Sequence, residues 1–278
     1  MGVNPHKSGK NSTNHKSLYG IFLDKRRLPK IIQITSIESH VNKLLGGVHM
    51  KKFLIFAVLG LIAFSFMAYG EGKVKEESTG LTFDKAVKFS TDSGAPEMIC
   101  SGTGVRKKVI IKVYGAAIYI EPAEAKKVLG KYIPKQIPED MDDFIEELCD
   151  NNQFWGDFIG GEFHKIILMR FVRDVGFESI TGAYKDAFKA YLKDNSEETK
   201  KTTATFLGFF NEEIKEGQEM TLRFSPDGTI IVEYAGKARG SIKNVNIAKA
   251  LLTNWFGTDP ISDDIKEGGI KYLYDVLK

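Results

Sequence analysis

Residues 101–122 read SGTGVRKKVIIKVYGAAIYIEP. A glycine-broken start leads to Arg106, which is followed by Lys107 and Lys108, and then to twelve mostly apolar residues from Val109 to Ile120. The last of these are apolar at both alternating positions, the pattern of a strand buried on both faces. Arg106 therefore stands at the mouth of a buried strand, where it can be a surface charge, a phosphate clamp or the polar end of a ligand cavity. A phosphate loop would need Gly102-Thr103-Gly104 to open a helix, and a β-branched run follows instead.

The whole chain, 278 residues at 42% hydrophobic and 27% charged, has ordinary globular composition, enough for one large domain or two small ones. Its charge is uneven. Residues 1–70 hold 10 Lys+Arg against 2 Asp+Glu, whereas residues 71–278 hold 29 against 34, a net charge of −5. The basic character belongs to the front segment, so nucleic-acid binding by the remainder loses its simplest support.

Residues 50–70 carry the three parts of a secretory signal peptide: Lys51-Lys52, an apolar run from Phe53 to Met67, and Ala68-Tyr69-Gly70 with small residues where signal peptidase needs them. The run is short of the roughly twenty residues of a membrane span. Residues 1–49 are polar and hold His6, His15, His40 and His49. A signal peptide starts near its own methionine, so translation is expected to begin at Met50, with 1–49 an untranslated upstream extension or a disordered segment. The expected mature domain is 71–278, periplasmic or secreted from a bacterium.

His164 is the one histidine left in that domain, and no Cys-x-x-Cys pair exists. A zinc site lacks ligands, and histidine-based nucleophilic catalysis would have to use a residue in the strand-like FHKIILMRF. No metal and no cofactor is expected. Cys100 and Cys149 could pair in an oxidising compartment, and sequence leaves that open.

Strands are expected over 81–89, 97–105, 109–120, 165–175, 220–226 and 229–236, rich in β-branched and aromatic residues. Pro226-Asp227-Gly228 predicts a hairpin between the last two. Helices are expected from Glu121 to Ile133 with Pro122 in the first turn, over 179–195, over 196–214 starting at Ser196, and over 244–257 ending on Gly257. Strands first and helices clustered later make the fold class α+β.

GTGVRKK with KVYGAAIYIEP, then RFVRDV, FSPDGTIIVEYAG and IAKALLTNWFGTDPISDDIK, in this order, resemble the chalcone isomerase family, and most of all its bacterial secreted members. The similarity runs over about residues 79–268. It implies an open-faced β-sandwich, a large antiparallel sheet with helices packed on one side. Residues 137–161 have no obvious counterpart and look like an insertion.

The family contains isomerases and noncatalytic fatty-acid binders, so function has to be read residue by residue. Arg106 matches the family's arginine. Tyr114 falls where plant enzymes carry a threonine. Tyr184 falls one residue from the tyrosine that helps order the catalytic water, Ala190 or Tyr191 replaces an asparagine, and Asn254 replaces a substrate-seating Thr or Ser. As an isomerase, an intramolecular lyase of the chalcone-flavanone type, the chain would use Arg106 and Tyr184 as catalytic residues.

The same substitutions suit a binder better. Arg plus Tyr on neighbouring strands is the pair with which fatty-acid-binding members grip a carboxylate, and a charge-assisted arginine contact beside a tyrosine hydroxyl is sound anion chemistry in an apolar cavity. The expected ligand-binding set is Arg106, Tyr114, Tyr184 and Asn254. A straight strand would hold Arg106 and Tyr114 about 26 Å apart, so they share a ligand only if the chain turns, and Lys107-Lys108 is the expected turn.

The function this supports is a noncatalytic extracytoplasmic binding protein for a small apolar carboxylate such as a fatty acid, with the isomerase as the alternative. The expected partners are that carboxylate or a phenolic ligand, with no nucleic acid, membrane contact only transiently through the signal peptide, and a monomeric state. Lys112 is a rival source of the cavity's cation. Tyr191, Phe188 and Trp255 at helical spacing read as core, and Arg173-Asp174 as a local ion pair.

Overall fold

The computed structural model describes residues 72–89 and 95–278. The expected upstream extension and signal peptide lie outside the described residues. A seven-stranded antiparallel sheet runs in sequence order through β3 (Ala86–Lys88), β4 (Glu97–Lys108), β5 (Ile111–Ile120), β6 (Lys165–Phe171), β7 (Glu219–Phe224), β8 (Thr229–Tyr234) and β9 (Lys237–Lys243). A second, two-stranded sheet pairs β1 (Lys73–Lys75) with β2 (Thr82–Asp84).

The helices are α1 (Pro122–Leu129), α2 (Met141–Asp150), α3 (Asn152–Gly160), α4 (Phe177–Tyr191), α5 (Glu197–Gly208), α6 (Val245–Phe256), α7 (Asp263–Gly268) and α8 (Leu273–Leu277). Their starts follow local chemistry. Pro122 occupies the first turn of α1, Asp140 and Asn151 cap α2 and α3, Ser196 accepts from the Thr199 N–H at the start of α5, and Asn244 caps α6.

Alternation sorts the strands between two cores. Ala116, Ile118 and Ile120 of β5, Ile167, Met169 and Phe171 of β6, and Met220, Leu222 and Phe224 of β7 face the helices. Ala117, Tyr119 and Ile166 face the other way, into a smaller cluster with Val74, Phe83, Phe89 and Met98 beside the β1–β2 ribbon. The central strands are thus buried on both faces, as the apolar pattern of 113–120 requires. The α+β architecture with helices on one face agrees with the expected class.

Several boundaries differ from the sequence reading. The chain turns at Val109-Ile110, two residues later than expected, and Val109 takes a left-handed φ of 58°. The segment 81–89 is split between two sheets at Lys85. The expected strand 165–175 ends at Phe171, and β9, α7 and α8 carried no recognisable signal of their own. Residues 137–161 form α2 and α3, which deliver Phe144, Leu148, Phe154, Trp155 and Phe158 to the main core. The turn at Pro226-Asp227-Gly228 is as expected, with Gly228 at φ 82° and the Asp227 carboxylate accepting from the Thr229 N–H at 3.0 Å.

Gly102 and Gly104 are explained by packing. A Cβ on Gly102 would lie 1.9 Å from the Gly268 carbonyl oxygen, and one on Gly104 would lie 2.2 Å from that of Asp264. The bare β4 backbone lets α7 sit directly on the strand. Ser101 strengthens the seam: its hydroxyl donates to the Gly269 carbonyl at 2.7 Å, and its own carbonyl accepts from the Tyr272 N–H at 2.7 Å.

The other expectations resolve in place. Cys100 and Cys149 are free thiols, one in the smaller core and one against the main core. His164 precedes β6 and pairs its Nδ1 with the Glu121 carboxylate at 2.8 Å. Arg173 and Asp174 do not form their expected pair. Asp174 instead accepts from the Glu216 N–H at 2.8 Å and pairs with Lys215 at 3.0 Å, contacts that hold its carboxyl below the usual range.

Candidate functional site

The four ligand-binding candidates arise from four different elements, β4, β5, α4 and α6, and line one cavity of about 820 Å³ between the sheet and the two helices. That volume lies within the range of small-molecule sites. Arg106 and Tyr114 are direct partners across the β4–β5 hairpin, so they share the face that looks toward the helices. An irregularity between Arg106 and Lys107 precedes the turn at Val109-Ile110, and the fold thereby brings together two residues that a straight strand would separate.

The interior is apolar. Met169 and Phe171 of β6, Met220 of β7, Ile180 and Tyr184 of α4 and Trp255 of α6 form its walls. Tyr114 is buried, with its ring 5.3 Å from that of Phe171. Its hydroxyl accepts a hydrogen bond from Trp255 Nε1 at 3.4 Å. Because the indole can only donate, the phenol's own proton remains for an acceptor in the cavity. Burial raises the Tyr114 pKa, opposed by the Arg106 charge and the Trp255 bond, so the hydroxyl is a neutral donor at ordinary pH.

Tyr184 points its hydroxyl at the Met220 sulfur, 3.2 Å away, and packs against Phe206 and Phe210. Burial pushes its phenol well above the usual range. Asn254 is buried in the wall beside Trp255, and its backbone carbonyl accepts from the Ile261 N–H at 2.7 Å, tying α6 to the segment that follows it. Ala190 and Tyr191 also line the cavity, and the Tyr191 hydroxyl donates to the Asp259 carbonyl at 2.6 Å.

Exposed residues form the mouth: Lys108, Ile111, Arg173, Asp174, Asp186 and Asp259. Arg106 sits half-buried between this rim and the apolar interior. Among the described residues no carboxylate pairs with its guanidinium, in contrast to Arg170 and Arg223, which pair with Glu219 and Glu233. Lys112 does not line the cavity and donates to the Ser78 carbonyl, so it does not supply the cation there.

Trp255 is the residue that helical spacing alone assigns to the core. It is core, at 1% exposed, and it is also the donor that orients Tyr114. Phe171 and Met169 become wall residues only through the pairing of Tyr114 with Phe171 and of Ala116 with Met169, a register the sequence does not print.

Residues 156–268 match a family described as chalcone isomerase-like. The match begins inside the stretch read as an insertion. Fatty-acid-binding protein 2 of Arabidopsis thaliana is 25% identical over 214 residues, covering 73% of this chain and 51% of that protein. The chain thus spans about half the length of the curated relative it matches. The crystal structure of an Arabidopsis thaliana fatty-acid binding protein shares the fold, with a TM-score of 0.58 at 20% identity over 74% of this chain and 98% of that one.

Proposed function

We propose that this chain is a noncatalytic binder of a small apolar carboxylate such as a fatty acid, and that it works outside the cytoplasm. The observation that carries the ligand class is Arg106: a half-buried guanidinium without a carboxylate partner among the described residues, opposite the Tyr114 hydroxyl at one end of an aromatic and methionine-lined cavity. A carboxylate would take a charge-assisted bond from Arg106 and the proton that Tyr114 retains, while its alkyl chain replaced water along Phe171, Met220 and Trp255. The names of the two Arabidopsis relatives support the same class. Export rests on the signal-peptide pattern of residues 50–70.

The test is native mass spectrometry of the purified protein, followed by extraction and binding of a long-chain fatty acid. The expected result is a bound acid that is lost in Arg106→Met while the fold is kept. Failure of the wild type to bind any fatty acid, or turnover of a chalcone that depends on Arg106, would overturn the reading. For export, the N-terminal peptide of the natural product is expected to begin at Glu71; a product retaining residues 50–70 after secretion refutes cleavage there.

A further inference from the structure

The β4–β5 hairpin ends in Val109-Ile110-Ile111, whose residues are 89%, 87% and 50% exposed. Val109 and Ile110 are the most exposed large hydrophobic residues among those described, and they are consecutive. A scattered surface Leu or Ile needs no explanation, but three adjacent β-branched residues projecting from a hairpin tip place a compact apolar knob in water. Val109 also holds a left-handed φ of 58°, a conformation unfavourable for a β-branched residue, and no packing against the domain compensates it.

The surroundings of this knob are cationic. Lys107, Lys108 and Lys112 flank it on both strands. Asp264 pairs with Lys107 at 2.7 Å, which leaves Lys108 and Lys112 without an acidic partner among the described residues. Residues 71–278 are otherwise net negative, so the positive end is a local feature. The knob is continuous with the cavity mouth, where Lys108 and Ile111 meet Arg106 and Arg173 and also the acidic Asp174, Asp186 and Asp259, so the positive character belongs to the tip and not to the whole rim. Gly176 and Ser179, which flank the half-exposed Phe177 at the start of α4, line it as well.

We propose that the β4–β5 tip docks on an anionic lipid bilayer, with Val109, Ile110 and Ile111 entering the acyl boundary and Lys108 and Lys112 meeting the headgroups. Apolar side chains at the tip and lysines one step behind them match the vertical order of a bilayer interface, with hydrocarbon inside and charge outside. A protein partner would call for a flatter patch with hydrogen-bonding groups at its rim, whereas here the apolar residues protrude. The docked cavity mouth would open at the membrane surface, where apolar carboxylates are concentrated. Docking does not depend on what the cavity holds, and it goes beyond the transient membrane contact expected of residues 50–70.

The experiment places an environment-sensitive fluorophore on Ile110→Cys in a full-length Cys149→Ser chain and mixes it with vesicles of phosphatidylcholine, with or without phosphatidylglycerol. The control label is Val245→Cys, because Val245 packs by the Gly228 turn at the opposite end of the sheet and is also exposed. A blue shift at Ile110 on anionic vesicles only, absent at Val245, is the expected result. Lys108→Gln, which removes one charge, should weaken the apparent vesicle affinity about fivefold, and raised salt should weaken it in the same direction.

Because both labelled chains carry the same N-terminal segment, anchoring by that segment cannot produce the difference. Val109→Ser with Ile110→Ser, neither of which lines the cavity, should lower tip partitioning by about a hundredfold while leaving fatty-acid affinity in solution unchanged. No shift at Ile110, equal shifts at both positions, or a shift that follows protein concentration without vesicles would overturn the proposal, the last pointing to a second copy of the chain.

Discussion

Arg106 stands directly opposite Tyr114 across the β4–β5 hairpin, and the phenol is held from behind by the Trp255 indole at 3.4 Å. The three residues come from two strands and the helix α6, so the anion-binding end is assembled only when the helix docks on the sheet. Replacing Arg106 by Met should lower affinity for a fatty acid by about ten- to a hundredfold, the range for a charge-assisted hydrogen bond. Tyr114→Phe should lower it about three- to tenfold for a neutral bond. Calorimetric titration checks both. The melting temperature of Arg106→Met should hold or rise, because a partly buried cation without a partner favours the unfolded chain.

Trp255→Phe separates wall from bond. The ring remains but the donor is lost, so Tyr114 is free to turn, and fatty-acid affinity should fall about two- to fivefold with little change in chain-length preference. An unchanged affinity in the titration would mean that the indole is only a wall.

The glycine pair of β4 makes a sharper test of packing. Gly102→Ala should destabilise the domain by roughly 3 kcal/mol, the upper end for overpacking, because the new methyl group meets the Gly268 backbone and not a movable side chain. Urea unfolding of Gly102→Ala and Gly104→Ala measures it, and Gly156→Ala, where nothing lies within 4 Å, is the control.

Lys165 titrates where a lysine normally does not. It is 3% exposed and its ammonium donates to the carbonyls of Gly161 and Phe163 at 2.9 and 3.1 Å, with no carboxylate partner among the described residues. Burial pushes its pKa down to about 7. The folded pKa is below the unfolded value of 10.5, so the unfolded chain binds more protons between them and stability contributed by this site rises with pH across about 7 to 10.5. Lys165→Met should therefore show its full stability advantage below about pH 7 and lose it progressively toward pH 10. A pH-independent difference in urea midpoints would refute the shift.

The thiols should be inert. Burial raises Cys100 to about 12 and Cys149 to about 11, so both are protonated at pH 8. A thiol reagent should find two reactive groups in denaturant and react far more slowly with the native protein, and reductant should leave the melting temperature unchanged.

Much of this fold is legible locally. Pro226-Asp227-Gly228 carries its own turn chemistry, Ser196 and Asn244 cap their helices, and 113–120 alternates between two apolar faces. The turn at Val109-Ile110 is not legible, because it contains none of the Gly, Asn, Asp or Pro residues that mark a hairpin. Helices α2 and α3 were hidden for a related reason: their stretch has no counterpart in the resemblance, and its caps, Asp140 and Asn151, stand among other acidic and amide residues.

The sequence by itself determined the residue types of the candidate site, one arginine with tyrosines amid apolar runs, and the α+β order of elements, since both depend on composition and local periodicity. Only the tertiary structure decided which of those residues meet. Strand register set Arg106 against Tyr114, helix docking brought Trp255 and Asn254 to the same cavity, and the close seat of α7 gave Gly102 and Gly104 their purpose. Those relations join residues far apart in the chain, and long-range packing fixes them where no local signal can.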